Sequence, residues 1–484
     1  MVNIRVIEKF DCDVLIVGGG PGGSSLAYQL AEYGLKTIVL EAQSFPRDKV
    51  CGDGVSPIAL AELEKLGITK LEKFKTANEI TKVGLFIKEQ KVFIDLPTTS
   101  HLPFHARIIP RLELDNWIHD AAQKKGAIFK EDTRLVHFVT SETAVTSTVK
   151  NGDKISYIRS KIIVGADGSN STIARILNGE KTSEHFQLLG LRAYYENVNG
   201  PNDRVDIFFT KENFPGIYWM FPSGDKKANI GLAMVASTMP KNELHVKTLL
   251  NNHIKQNKDN AERIGNGTIK GKIAGWPLSF YNSKNNITGN RLLLIGDAAG
   301  LINPLSGDGI QYALLSARWA GECIIGCSKQ NDFSGNALFV YRKKINKELA
   351  YDFALSNLLI QFARNRTLTP LWMEIMEVMI EQAKVDKGYA DIIAGIFEGT
   401  YPSYKALTAD FIAKSLIQGA VHAGSLASKT ILEGPEHWLK TTTAARELAY
   451  CLAGSFKQNP SGNFKWLTSL LSNGLSVAAQ MIKK

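Results

Sequence analysis

The chain has 484 residues, 44% hydrophobic and 21% charged, with 41 Gly and 16 Pro. This globular composition excludes a collagen-like, disordered or disulfide-scaffold chain, and the length exceeds the ~250–300 residues that one hydrophobic core spans. The net charge of +10 suits anionic ligands or an acidic membrane surface but is too dilute for nucleic-acid binding.

Residues 1–13 carry Arg5, Glu8, Lys9 and Asp11, which break the apolar core that a signal peptide requires. A strand over 13–17 ends in the cluster Gly18-Gly19-Gly20-Pro21-Gly22-Gly23, and a helix over 21–33 follows, stopped by Gly34. A second apolar strand over 36–40 ends in Glu41, completing a βαβ unit. Residues 45–57 form a polar, Gly-rich loop and 58–66 a helix. Alternation over 82–97 predicts antiparallel strands, 111–125 a helix and 144–157 further β structure. Residues 161–164 read as a buried strand, and 188–237 as a meander with turns at 199–203 and 223–227. A helix over 243–255 precedes a buried strand over 291–295 and a helix over 309–327. Beyond Asp332 the chain reads as helical, with breaks at Pro370, Pro402, 434–435 and 460–462. The apolar stretch 371–380, with Glu374 and Glu377 interleaved, predicts an amphipathic helix packed on the domain that holds the βαβ unit, the alternative being the wall of a long apolar tunnel.

No run of 18 apolar residues offers a spanning helix. Cys12, Cys51, Cys323, Cys327 and Cys451 lack framework spacing, which points to a reducing, cytoplasmic setting. No metal site is expected. The fold class is α/β, with a discontinuous Rossmann-like domain (1–80, 105–180 and 286–330). An antiparallel-sheet substrate domain (81–104 and 181–285) and a helical C-terminal region (331–484) complete it.

Gly18, Gly20 and Gly23 fit G-x-G-x-x-G between a strand and a helix. There the turn, the close backbone approach and the helix start suit a pyrophosphate, with Gly22 inside the same turn. Glu41 is placed to accept hydrogen bonds from a ribose. This fingerprint alone leaves FAD and NAD open.

Three further segments resemble the p-hydroxybenzoate-hydroxylase-like flavoproteins. Gly165-Ala166-Asp167-Gly168 resembles their Asp-Gly motif. Gly296-Asp297-Ala298-Ala299-Gly300, followed by Pro304, Gly307, Gly309 and Ile310, resembles their second flavin motif. Pro110-Arg111, with Asp115 four residues on, resembles the segment whose arginine reaches the cofactor. The resemblance implies one tightly held FAD, with Asp297 on its ribityl chain. No second nucleotide fingerprint follows, so NAD(P)H or another reductant would dock transiently.

Lys49-Val50-Cys51-Gly52-Asp53-Gly54 resembles the Lys-x-Cys-Gly-[Gly/Asp]-Gly loop of the geranylgeranyl reductase family. Residues 215–222 resemble its Tyr-x-Trp-x-Phe-Pro motif, with Ile217 where the tyrosine is usual. Strand alternation should turn Tyr218 away from that face. The resemblance implies that Cys51 and Trp219 are catalytic and that Gly52 lies against the flavin. By the residues alone, Cys51 is an acid or a small packing residue, and Trp219 lines a pocket or fills the core. The implied activity is reduction of a carbon–carbon double bond of a prenyl-type substrate by hydride transfer from reduced FAD. The alternative is a flavin-dependent monooxygenase or halogenase acting on a small molecule. The expected partner is an apolar small molecule, with peripheral membrane contact through the basic cluster at 342–347. The oligomeric state stays open.

Overall fold

The computed structural model describes residues 9–97, 99, 102, 105–239, 245–408, 410–415, 417–418 and 460–482. Cys451 and the break expected at 434–435 lie outside them.

Continuous apolar runs place the parallel strands Cys12–Val17, Thr37–Leu40 and Leu292–Leu294 inside one eight-stranded sheet. Val14, Leu15 and Ile16 are fully buried there. Six of its strands run in the order Thr288–Gly289, Leu292–Leu294, Lys154–Gly165, Cys12–Val17, Thr37–Leu40, Ile128–Lys130, and Val145–Asn151 with Thr133–Thr140 branches off Lys154–Gly165. The two β segments expected at 144–157 and 161–164 are joined differently: Lys154–Gly165 is one twelve-residue strand. Its polar first half pairs antiparallel with Val145–Asn151, and its apolar second half pairs parallel with Cys12–Val17. Helices Pro21–Glu32 and Ile310–Gln330 pack together against this sheet.

The second sheet has seven strands, ordered Thr268–Ser279, Gln187–Glu196, Lys227–Val235, Gly216–Gly224, Arg204–Phe209, Lys82–Ile87, Gln90–Asp95. Helix His245–Gln256 covers one face, where Val246 and Leu250 meet Met220 and Leu232. Helices Thr369–Val385 and Lys387–Glu398 cover the other, where Met373 and Ile393 meet Ile94 and Ile207. The helix expected on the nucleotide-binding domain thus packs on this second sheet, which is antiparallel except for the parallel pair Arg204–Phe209 and Lys82–Ile87 and whose inward Val83, Leu85 and Ile94 need an apolar cover. A small sheet of Gly54–Val55, Ala106–Ile108 and Asn78–Ile80 lies against strand Gly216–Gly224 of the second sheet. Helix Pro460–Ile482 packs on Gly335–Ala363, with Val477 against Ala354 and Leu355. Among the described residues, no helix is long and apolar enough to cross a membrane.

Candidate active site

The glycine turn joins the second strand through Gly18 N–H, which donates to the Leu40 carbonyl at 2.8 Å. Gly20 caps helix Pro21–Glu32 without a side-chain hydrogen bond, so the helix's first N–H groups and positive end face outward. Gly22 packs against Ala313 of helix Ile310–Gln330, and Gly23 lies against the Gly18 carbonyl oxygen. Buried Glu41 accepts Gly19 N–H on Oε2 at 3.0 Å and Gln43 N–H on Oε1 at 3.1 Å. Arg47, which no motif assigned, lies across this turn. Its Nη2 is 3.2 Å from Glu41 Oε2, and its Nη1 is 2.8 Å from Asp115 Oδ2. Its signal in the sequence was a cation six residues after Glu41, two before Lys49.

Arg111 is buried and grips Asp115 through Nε at 2.6 Å and Nη2 at 2.8 Å. Burial raises the Asp115 carboxyl, but Arg111 and then Arg47 outweigh it and hold it below the usual carboxylate range. Asp167 accepts Thr172 N–H at 2.7 Å and the Ser171 hydroxyl, so it secures the start of helix Thr172–Asn178. Asp297 accepts the Ser169 hydroxyl at 3.2 Å, and Lys49 Nζ stands 3.7 Å from it. Pro304 is buried in the turn that leads to Gly307, Gly309 and Ile310, where helix Ile310–Gln330 begins. Burial pushes the Asp308 carboxyl up to about 7, against the backbone N–H groups of Gln311, Ile310 and Gly309. An uncapped helix start beside Arg47 and Lys49 is the donor set that a pyrophosphate-bearing dinucleotide requires.

The loop 51–54 is pinned from the antiparallel sheet. Fully buried Asn229 donates from Nδ2 to the Cys51 carbonyl at 2.7 Å and to Asp53 Oδ2 at 2.8 Å. Its Oδ1 accepts Trp219 Nε1–H at 2.9 Å. The Tyr194 hydroxyl also donates to Asp53 Oδ2, at 2.8 Å. Burial pushes the Asp53 carboxyl up to about 6, opposed by these bonds from Asn229 and Tyr194. Burial likewise raises the Cys51 thiol, partly offset by the Arg111 guanidinium beside it. Asn229 lies in the segment 228–231 that follows the 215–222 motif, whereas Tyr194 belongs to no recognisable motif; the pairing of strands Gln187–Glu196, Gly216–Gly224 and Lys227–Val235 brings both here.

Cys51, Gly52, Phe221 and residues 306–310 line one cavity of about 190 Å³. Ile80, Val83, Leu96, Ile108 and Ile207 make its walls hydrocarbon, and Phe397 and Glu398 close it from helix Lys387–Glu398. Trp219 is not among the lining residues. It stands behind the loop, its indole 3.6 Å from where a Gly52 side chain would begin. Tyr218 lies on the opposite face of its strand, stacked on His253 at 3.8 Å, while Ile217 and Phe221 share the other side.

A parallel sheet with a glycine turn, a carboxylate at the next strand end, and an apolar cavity over a second helix start together define an FAD-dependent oxidoreductase. The family model described as FAD binding domain matches residues 11–322. Menaquinone reductase of Mycolicibacterium smegmatis is 30% identical over 315 residues, covering 64% of this chain and 75% of that protein. Digeranylgeranylglycerophospholipid reductase of Thermoplasma acidophilum is 28% identical over 339 residues, covering 69% and 83%. The crystal structure of a geranylgeranyl bacteriochlorophyll reductase-like protein from Thermoplasma acidophilum superposes with a TM-score of 0.68 at 22% identity, covering 82% of this chain and 98% of that one. The chain belongs to the FAD binding domain family and, within it, to the geranylgeranyl reductase family.

Proposed function

We propose that this flavoenzyme saturates a carbon–carbon double bond in a prenyl-type chain. The observation that carries this reading is the cavity, largely hydrocarbon-walled and lined both by the helix start at 307–310 and by Cys51. The names of the relatives, reductases of a menaquinone and of a digeranylgeranylglycerophospholipid, support it.

In this reading the turn of Gly18, Gly20, Gly22 and Gly23, with Arg47, holds the pyrophosphate of FAD. Glu41 takes the adenosine ribose, Asp297 with Lys49 takes the ribityl chain, and Gly52 and residues 307–310 flank the ring. Asp167 and Arg111 serve from behind, one securing a helix start and the other the Cys51 loop. Bound and reduced, FAD supplies a hydride, and NAD(P)H or another transient donor restores it. Cys51 supplies the matching proton: its burial keeps the thiol as S–H at neutral pH, and water reprotonates it after transfer. Trp219 acts through Asn229, holding the loop that carries the thiol.

A substrate of this kind partitions into lipid, and the same proposal places the enzyme at an anionic membrane surface. Helix Gly335–Ala363 supports this by exposing Phe339 and Val340 beside Lys343.

Cys51→Ala tests the proposal. The variant should bind FAD and accept electrons from its donor at the normal rate, yet reduce a prenyl substrate at least ~100-fold more slowly. A loss of less than about threefold would remove the thiol from the chemistry.

A further inference from the structure

Three titratable side chains line the cavity: Cys51, Asp308 and Glu398. The first carries the proton in the proposed reaction. The second faces the backbone N–H groups that open helix Ile310–Gln330. Glu398 has no part in either, and it lines the same cavity from the last turn of helix Lys387–Glu398.

The fold holds Glu398 there. The helix ends at Gly399, in a left-handed conformation with φ +82°, where a Cβ would lie 2.9 Å from the Gln311 side-chain amide. Gln311 is itself fixed by the Ser56 hydroxyl, which donates to its Oε1 at 2.7 Å. The helix end is therefore braced against the start of helix Ile310–Gln330. Glu398 is only 9% exposed. The Ala106 N–H approaches its carboxyl, and its Oε2 receives a long bond from the Thr400 hydroxyl at 3.5 Å. Its Oε1 is buried without a hydrogen-bond partner.

We propose that Glu398 is a specificity-determining residue, its carboxyl donating a hydrogen bond to an uncharged acceptor oxygen on an otherwise hydrocarbon substrate. This rests on the prenyl-reductase reading of the same cavity. Burial pushes the Glu398 carboxyl up to about 8, only partly opposed by the Ala106 N–H and the Thr400 hydroxyl, so at neutral pH it carries its proton. An O–H buried in hydrocarbon without a partner is costly, and a ligand oxygen that receives it recovers that cost. A carbonyl or an ether oxygen fits. A cationic group does not, because it would require the ionised carboxyl that the hydrocarbon wall disfavours.

The test uses FAD-loaded enzyme and three probes with comparable tails: a prenyl methyl ketone, a prenyl methyl ether and an oxygen-free polyprene. Binding to the oxidised holoenzyme is read from the flavin absorbance change, and turnover is measured separately. In Glu398→Leu the preference for the ketone or ether over the polyprene should fall at least ~10-fold in Kd. Glu398→Gln, whose amide still donates, should restore it to within about threefold. Wild-type affinity for the oxygenated probe should fall above pH 8, while that of Glu398→Gln should not. The ketone and ether arms show which acceptor is preferred. An unchanged preference in Glu398→Leu at normal FAD loading, or Gln as poor as Leu, overturns the inference. Glu398-dependent binding without reduction of any probe would instead sink the prenyl-reductase reading and leave the inference standing.

Discussion

Asn229→Ala is the most informative perturbation of the loop that carries Cys51. Asn229 makes three buried hydrogen bonds, at 2.7, 2.8 and 2.9 Å, to the Cys51 carbonyl, Asp53 and Trp219. Alanine removes all three and leaves a carbonyl, a carboxylate and an indole N–H short of a partner. Each such group costs ~1–3 kcal/mol when buried, and water entering the vacated space recovers part of that, so the expected loss is ~3–5 kcal/mol. Most of it should fall on the loop and not on the glycine turn. Thermal unfolding of the FAD-loaded variant should shift down by several degrees with flavin content retained, while substrate reduction falls at least ~10-fold. Asn229→Asp sharpens the test, because it sets an oxygen where Nδ2 now donates to Asp53. The Asp53 carboxyl is already pushed up by burial, and a second carboxyl beside it would share its proton to still higher pH, so this variant should lose activity only as that shared proton leaves on going to alkaline pH. Unchanged melting and turnover in Asn229→Ala, with FAD bound, would refute the assignment of this network to loop positioning.

Gly23→Ala places a Cβ inside the Gly18 carbonyl oxygen, so the turn must open; FAD affinity should fall at least ~100-fold, about 3 kcal/mol, by flavin fluorescence titration. Glu398→Gln should change stability with a definite sign. Because the folded carboxyl sits near 8, well above its usual range, the native state holds a proton that the unfolded chain releases, and wild-type stability falls between about pH 5 and 8. The melting midpoint of Glu398→Gln should match wild type at pH 5 and exceed it at pH 8.5; Cys51 and Asp308, which share the cavity, are common to both proteins and cancel in the comparison.

The nucleotide-binding sheet was legible because its strands are buried on both faces and read as unbroken apolar runs, as in Val14-Leu15-Ile16. The edge strand Thr268–Ser279 was not read, since Gly271, Gly275 and Pro277 dilute its pattern. Proline is tolerated there because an edge strand leaves one side without ladder partners. Local spacing marked the glycine turn and Glu41, and the resemblance to the geranylgeranyl reductase loop marked Cys51, because each signal lies in a short contiguous stretch. Asn229, Tyr194 and Glu398 reach the site from residues far along the chain, and their roles depend on sheet register and helix ends that no local pattern encodes. Trp219 shows the same limit from the other side: its motif was visible, but only the packing puts Phe221 in the cavity and the indole behind the loop.

The central claim is that the cavity delivers a prenyl double bond to reduced FAD beside the Cys51 thiol. Anaerobic photoreduction of the bound FAD, followed by addition of a prenyl substrate, tests it directly. Reoxidation of the flavin without oxygen, with stoichiometric formation of the saturated product, is the predicted result. A flavin that stays reduced under prenyl substrate and reoxidises only when oxygen is admitted, with an oxygenated or halogenated product, would contradict it.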